Sequence, residues 1–128
     1  MTYIYKKFDL ENLDDLEKLS LQEIAQYALR NFLNKKLNTD RVFFNKQSIC
    51  VKAFNENSLY PEIKERESAN KADIYVLAVV DKTKKVAYLE GWCSKDDLTQ
   101  DKNKTKDMFY LSYKDLRDLD ELKLYACN

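Results

Sequence analysis

The stretch from Ile74 to Val80 reads Ile-Tyr-Val-Leu-Ala-Val-Val, with no charged residue in it. A strand buried on one face alternates apolar and polar side chains, and this run does not alternate. It predicts a central strand over Asp73 to Val80 that is apolar on both faces and covered on both. Lys84 to Trp92 follows through Asp81-Lys82-Thr83 and predicts the second arm of a hairpin. A chain with such a strand must build a layer on each side of its sheet.

One of those layers is visible in the pattern. Leu21, Ile24, Ala25, Ala28, Leu29, Phe32 and Leu33 follow helical spacing. Ser20 is a natural N-cap for that helix, and Glu23 completes a capping box. Met1 to Phe8 alternates weakly, as a short strand does, and Asn12 to Leu19 fits a helical turn. Arg41 to Phe44 and Ser48 to Phe54 read as two strands linked by Asn45-Lys46-Gln47. In the second, Ile49, Val51 and Ala53 point one way and Cys50 and Lys52 the other. Asn55 to Asn70 is polar, carries the only proline, and reads as a loop with some helical character. Ser94 to Leu98 fits a capped helical turn, Gln100 to Lys106 a charged surface loop, and Met108 to Tyr113 a further strand. Leu116, Leu119 and Leu122 suggest a closing helix, with Ser112-Tyr113-Lys114-Asp115 as its cap. The expected fold class is α/β, a mixed sheet flanked by helices, in a single domain over residues 1–128.

Composition narrows the chemistry. The 128 residues carry 22 basic and 22 acidic side chains, so no global charge draws the chain to nucleic acid or membrane. Contact with nucleic acid would need a local cluster. Candidates are Arg30, Lys35, Lys36 and Arg41, then Lys82, Lys84 and Lys85, then Lys102, Lys104 and Lys106; each also fits a solvated surface. Histidine is absent, which excludes Ser-His and Cys-His dyads and His-ligated zinc. Cysteines at 50, 93 and 127 match no metal template and fit a reducing, cytoplasmic setting. No apolar run reaches membrane-spanning length, and the first residues lack a signal-peptide pattern. A single glycine rules out a glycine-rich phosphate loop.

What remains is carboxylate, lysine, tyrosine or thiol chemistry, or a hard metal ion, and one stretch concentrates several of these. Asp40 precedes Ser48-Ile49-Cys50-Val51-Lys52, an acid followed by a strand that carries a lysine. Phosphodiester hydrolysis needs a metal-activated water and neutralised charge at phosphorus. Carboxylates hold Mg²⁺, and a lysine two residues from one of them lies on the same sheet face.

On these residues the chain resembles the PD-(D/E)XK, or restriction-endonuclease-like, superfamily, in particular its small phage and bacterial members. Asp40 is similar to the motif aspartate and Cys50-Val51-Lys52 to the (D/E)-X-K strand. Leu21 to Leu33, with Glu23-Ile24-Ala25, resembles the first core helix. Ala72 to Leu77 with Leu89-Glu90-Gly91-Trp92 resembles the later hairpin, and Tyr110 to Leu119 the closing strand and helix. The chain departs from the pattern at Cys50, where the motif has Asp or Glu. The resemblance implies a restriction-endonuclease-like sheet and a Mg²⁺-dependent DNA endonuclease or exonuclease. Asp40, Lys52 and Glu23 would be catalytic, and Asp40, Glu23 and Glu62 would hold metal. DNA would be the partner. The alternative is a catalytically inactive nuclease-fold module that binds nucleic acid, a protein or a second copy, such as a phage accessory protein.

Each residue also has a plainer role. Lys52 fits a solvent-facing strand lysine, Asp40 a turn initiator, Cys50 a small buried hydrophobe. Glu23 fits the acid of the capping box, at an angle opposite the apolar stripe. Glu62 and Glu56 are acids able to replace the missing one, although Pro61 and its polar flanks place Glu62 on a loop. Tyr75, Tyr88, Tyr110 and Tyr113 fit packing, with base stacking as the sharper alternative.

Overall fold

The structure is a computed structural model. It describes residues 6–11, 13, 15–37 and 47–122, and for residues 34–37 the backbone alone. Along the chain run β1 (Lys6–Asp9), α1 (Leu21–Leu37), β2 (Ile49–Asn55), β3 (Glu62–Arg66), β4 (Ile74–Asp81), β5 (Val86–Ser94), α2 (Lys95–Leu98), β6 (Lys104–Thr105) and β7 (Met108–Ser112). The fold is α/β with two sheets.

The first sheet has the order β1-β5-β4-β2. It is mixed: β2 runs parallel to β4, whereas β4–β5 and β5–β1 are antiparallel. The second sheet is antiparallel, in the order β3-β7-β6. As expected, β4 is central, and Ile74 to Ala78 have no exposed surface. Its two faces meet different layers. Ile74, Val76, Ala78 and Val80 join Ile24, Ala25, Ala28, Leu29, Phe32 and Leu33 of α1. Tyr75 and Leu77 join Ile63, Phe109 and Leu111 of the second sheet and Leu98 of α2. A helix covers one face, and mainly a sheet covers the other.

The helix starts where its cap says it should. Glu23 N donates to Ser20 Oγ, and Ser20 N donates to Glu23 Oε1, both at 3.1 Å. Gln22 Nε2 donates to Val51 O at 2.7 Å, which ties the first turn to β2. A second box opens α2: Asp97 N donates to Ser94 Oγ, and Ser94 N donates to Asp97 Oδ2. Arg117 grips the same carboxylate through Nε and Nη2 at 2.7 and 2.8 Å. Burial works to raise the Asp97 pKa, but the hydrogen bonds from Arg117 and Ser94 outweigh it and hold the carboxyl below its usual range.

Two expectations are corrected. Residues 62–66 are not loop but β3, paired along its length with β7. The three leucines near the end do not share one helix. Tyr113–Asp115 is a 3₁₀ turn, Leu116 is extended, and among the described residues of this segment the helix covers 119–122. Leu116 packs towards the second sheet, whereas Leu119 and Leu122 enter the α1 core. Between them the chain crosses β5: Trp92 N donates to Arg117 O, and Arg117 N to Trp92 O. The only glycine permits this. A Cβ on Gly91 would lie 2.8 Å from Leu116 Cβ and 3.0 Å from Arg117 O. The expected strand at Arg41 to Phe44 lies outside the described residues.

Candidate functional site

Strand β2 presents Cys50 and Lys52 on the face turned away from α1, as its alternation predicts. Ile49, Val51 and Ala53 pack with the helix layer, while Cys50 and Phe54 pack with the second-sheet layer. In register with β2, β4 sets Tyr75 beside Cys50 and Leu77 beside Lys52. Opposite them, β3 turns Ile63 and Glu65 inwards, for Ile63 is fully buried in that layer. Glu62, Lys64 and Arg66 therefore lie on the other face of β3.

Four side chains meet here. Lys52 Nζ is 3.5 Å from Glu65 Oε2 and 5.7 Å from the centre of the Tyr75 ring. Tyr75 OH donates to the same Glu65 oxygen at 3.3 Å and accepts from Ala72 N at 3.1 Å. The Lys52 and Glu65 side chains keep 30% and 21% of their surface, so the pair is only partly withdrawn from water. Cys50 is half-buried, and its thiol lies 3.9 Å from Val51 O. Burial pushes the Cys50 thiol pKa up; Lys52 opposes this and Glu65 reinforces it. The thiol is thus neutral at pH 7. Burial likewise pushes the Tyr75 hydroxyl well above its ordinary value.

The chemistry of this donor set is limited. A neutral thiol is a soft, weak ligand for Mg²⁺. The one carboxylate present is already bound to a cation and a phenol. Among the described residues no group of three or more His, Cys, Asp or Glu is placed to hold a metal ion. These residues do not fit a hard-cation site.

The other candidates lie elsewhere. Glu23 is exposed, its carboxylate bound to Ser20 N, on a helix that covers the opposite face of the first sheet. Glu62 stands on the outer face of β3. Arg30 is exposed on α1. Asp40 and Arg41, and the side chains of Lys35 and Lys36, lie outside the described residues. Of the other lysines, Lys82 Nζ donates to Leu19 O at 2.6 Å and fastens the segment before α1. Lys104 pairs with Glu67. Glu65 is the residue that sequence reasoning missed. Its one signal is the alternation Ile63-Lys64-Glu65-Arg66, with a single apolar residue.

Among the described residues no helix is long and apolar enough to cross a membrane. No family model, curated protein or solved structure matches this chain.

Proposed function

We propose that this chain is a nuclease-related domain of restriction-endonuclease-like descent that does not hydrolyse phosphodiesters and acts by docking to protein. The observation that carries the reading is the Lys52–Glu65 contact at 3.5 Å. The amine that would stabilise an attacking water is matched by a carboxylate and a ring, and the acid that would sit two residues before it is a neutral thiol. The engagement of Lys82, Lys104 and Arg117 within the domain supports protein over nucleic acid as the partner. So does the zero net charge.

Calorimetric titration with Mg²⁺ and a plasmid-nicking assay with Mg²⁺ or Mn²⁺ test it. The wild type is expected to bind Mg²⁺ weakly and leave the plasmid intact. Cys50→Glu restores a hard ligand beside Lys52 and is expected to tighten Mg²⁺ binding. A second reading takes Glu65 as a carboxylate that has replaced the one missing at position 50, and its nearness to Lys52 favours it. Efficient nicking by wild type, lost in Lys52→Ala, Asp40→Ala and Glu65→Gln, would establish that reading and overturn the first.

A further inference from the structure

Strand β3 is outermost in the second sheet, and among the described residues no strand pairs with its far side. The hydrogen bonds that flank its ladder fix which main-chain groups face that side. Tyr113 N donates to Pro61 O, and Glu67 N donates to Asp107 O. In an antiparallel pair the bonded positions alternate. Ile63 and Glu65 therefore bond to β7, and Glu62, Lys64 and Arg66 turn their main chain outwards. Arg66 O accepts from Ala69 N at 3.1 Å. The N–H and C=O of Glu62 and Lys64, and the N–H of Arg66, have no partner among the described residues.

The side chains of the same three residues lie on the outer face of the sheet, with Lys64 across from Tyr110 and Arg66 across from Met108. Lys64 and Arg66 are exposed. Acids close to them in the chain are already matched, Glu65 by Lys52 and Glu67 by Lys104. Among the described residues neither Lys64 nor Arg66 has an ion-pair partner. Basic residues on a sheet edge discourage indiscriminate strand pairing. They leave the edge to a strand that brings the opposite charge.

We propose that this edge takes up an acidic, extended segment of a partner protein, which joins the second sheet as a fourth strand beside β3. Main-chain bonds to Glu62, Lys64 and Arg66 hold the segment, and charge sets its register. Laid antiparallel, it places alternate residues opposite Arg66, then Lys64, then Glu62. The matching pattern is acid, any residue, acid, any residue, lysine. Each acid then meets a cation that the domain itself leaves unmatched.

The proposal rests on the reading of this chain as a protein-docking module. It is tested by peptide binding and not by Mg²⁺ binding or nicking, so the two fail separately. The probe is a fluorescent synthetic peptide, Thr-Glu-Val-Glu-Val-Lys-Thr, titrated with the full chain to about 1 mM and followed by anisotropy. Wild type is expected to bind it. The double variant Lys64→Glu, Arg66→Glu is expected to bind it roughly tenfold more weakly or worse. That variant should instead bind the charge-reversed peptide, Thr-Lys-Val-Lys-Val-Glu-Thr, more tightly than wild type does. Both side chains are exposed, so the variant keeps its fold, which circular dichroism checks. Methylating the main-chain nitrogens of the two glutamates keeps the charge but removes bonds to β3, and is expected to abolish binding. No binding by wild type at about 1 mM overturns the proposal. So does a double variant that binds the acidic peptide as wild type does, or a methylated peptide that binds equally well. A single-stranded oligothymidine that binds wild type more tightly than the peptide, and is lost in the double variant, would assign the edge to nucleic acid and also overturn it.

Discussion

The two faces of β4 are built from neighbouring residues of one strand, yet they behave as different materials. Towards α1 the strand meets only hydrocarbon: Ile74, Val76, Ala78 and Val80 against Ile24, Ala28, Leu29 and Phe32. Towards the second sheet the packing is also apolar around Leu77, Ile63 and Phe109, but it ends at Cys50, Lys52, Glu65 and Tyr75. The first face is filled by hydrocarbon apart from the Trp92 indole, whose N–H donates to Asp118 O at 2.9 Å. The second contains polar groups that need partners, and Lys52, Glu65 and Tyr75 find each other from three different strands. Stability is concentrated on the first face, whereas the second tolerates chemistry because its polar edge stays in contact with water.

The largest expected effect tests the first face. Leu29→Ala removes a fully buried side chain from the helix layer and should cost about 2–5 kcal/mol in a urea melt. A loss under about 1 kcal/mol would mean that α1 does not form the main core and that the contrast between the faces is misplaced.

The next test separates the members of the polar edge. Glu65→Ala leaves the Tyr75 hydroxyl and the Lys52 ammonium without their acceptor and should cost about 1–3 kcal/mol. Lys52→Met keeps the Tyr75–Glu65 bond and should stay within about 1 kcal/mol, since a partly exposed ion pair adds little. Equal losses from the two substitutions would show that the ion pair, and not the phenol bond, holds β3 against the first sheet.

A further test concerns Asp97, which joins α2 to the segment at Arg117 through Ser94 and Arg117. Asp97→Asn should cost about 1–2 kcal/mol at neutral pH. Its carboxyl is held below the ordinary value in the folded state, so its stabilisation is complete above the ordinary carboxylate range and is lost as pH falls through the folded value. The gap in Tm between wild type and Asp97→Asn should therefore close as pH falls below about 4. A gap that persists in acid would assign the effect to the shape of the cap and not to its charge.

The same contrast explains what could be read from residues alone. The helix layer announces itself through short-range rules: the period of Ile24 to Leu33, the Ser20–Glu23 box, the unbroken run of β4 and the alternation of β2. The capped turn at Ser94 to Leu98 was equally legible, although the part of Asp97 in it was not. The second sheet depends on partners far away in sequence. Glu62 to Arg66 holds one apolar residue, and it is a strand because β7 lies beside it. Hence nothing local in the sequence distinguishes the inward Glu65 from Glu62 on the other face of the strand. Leu116, Leu119 and Leu122 misled for a related reason: regular spacing does not record that the chain changes sides between the first and second.

That change of sides has a consequence for how the chain can be respelled. Most positions that pack tightly accept several hydrophobic residues, because a core is filled by volume and many combinations fill it. Position 91 has no such latitude, since even a methyl group meets the backbone of the crossing segment. Glycine followed by the buried Trp92 is thus a two-letter fingerprint of the crossover itself. A side chain at this point would push the crossing segment away from β5 and loosen the two backbone bonds between Trp92 and Arg117.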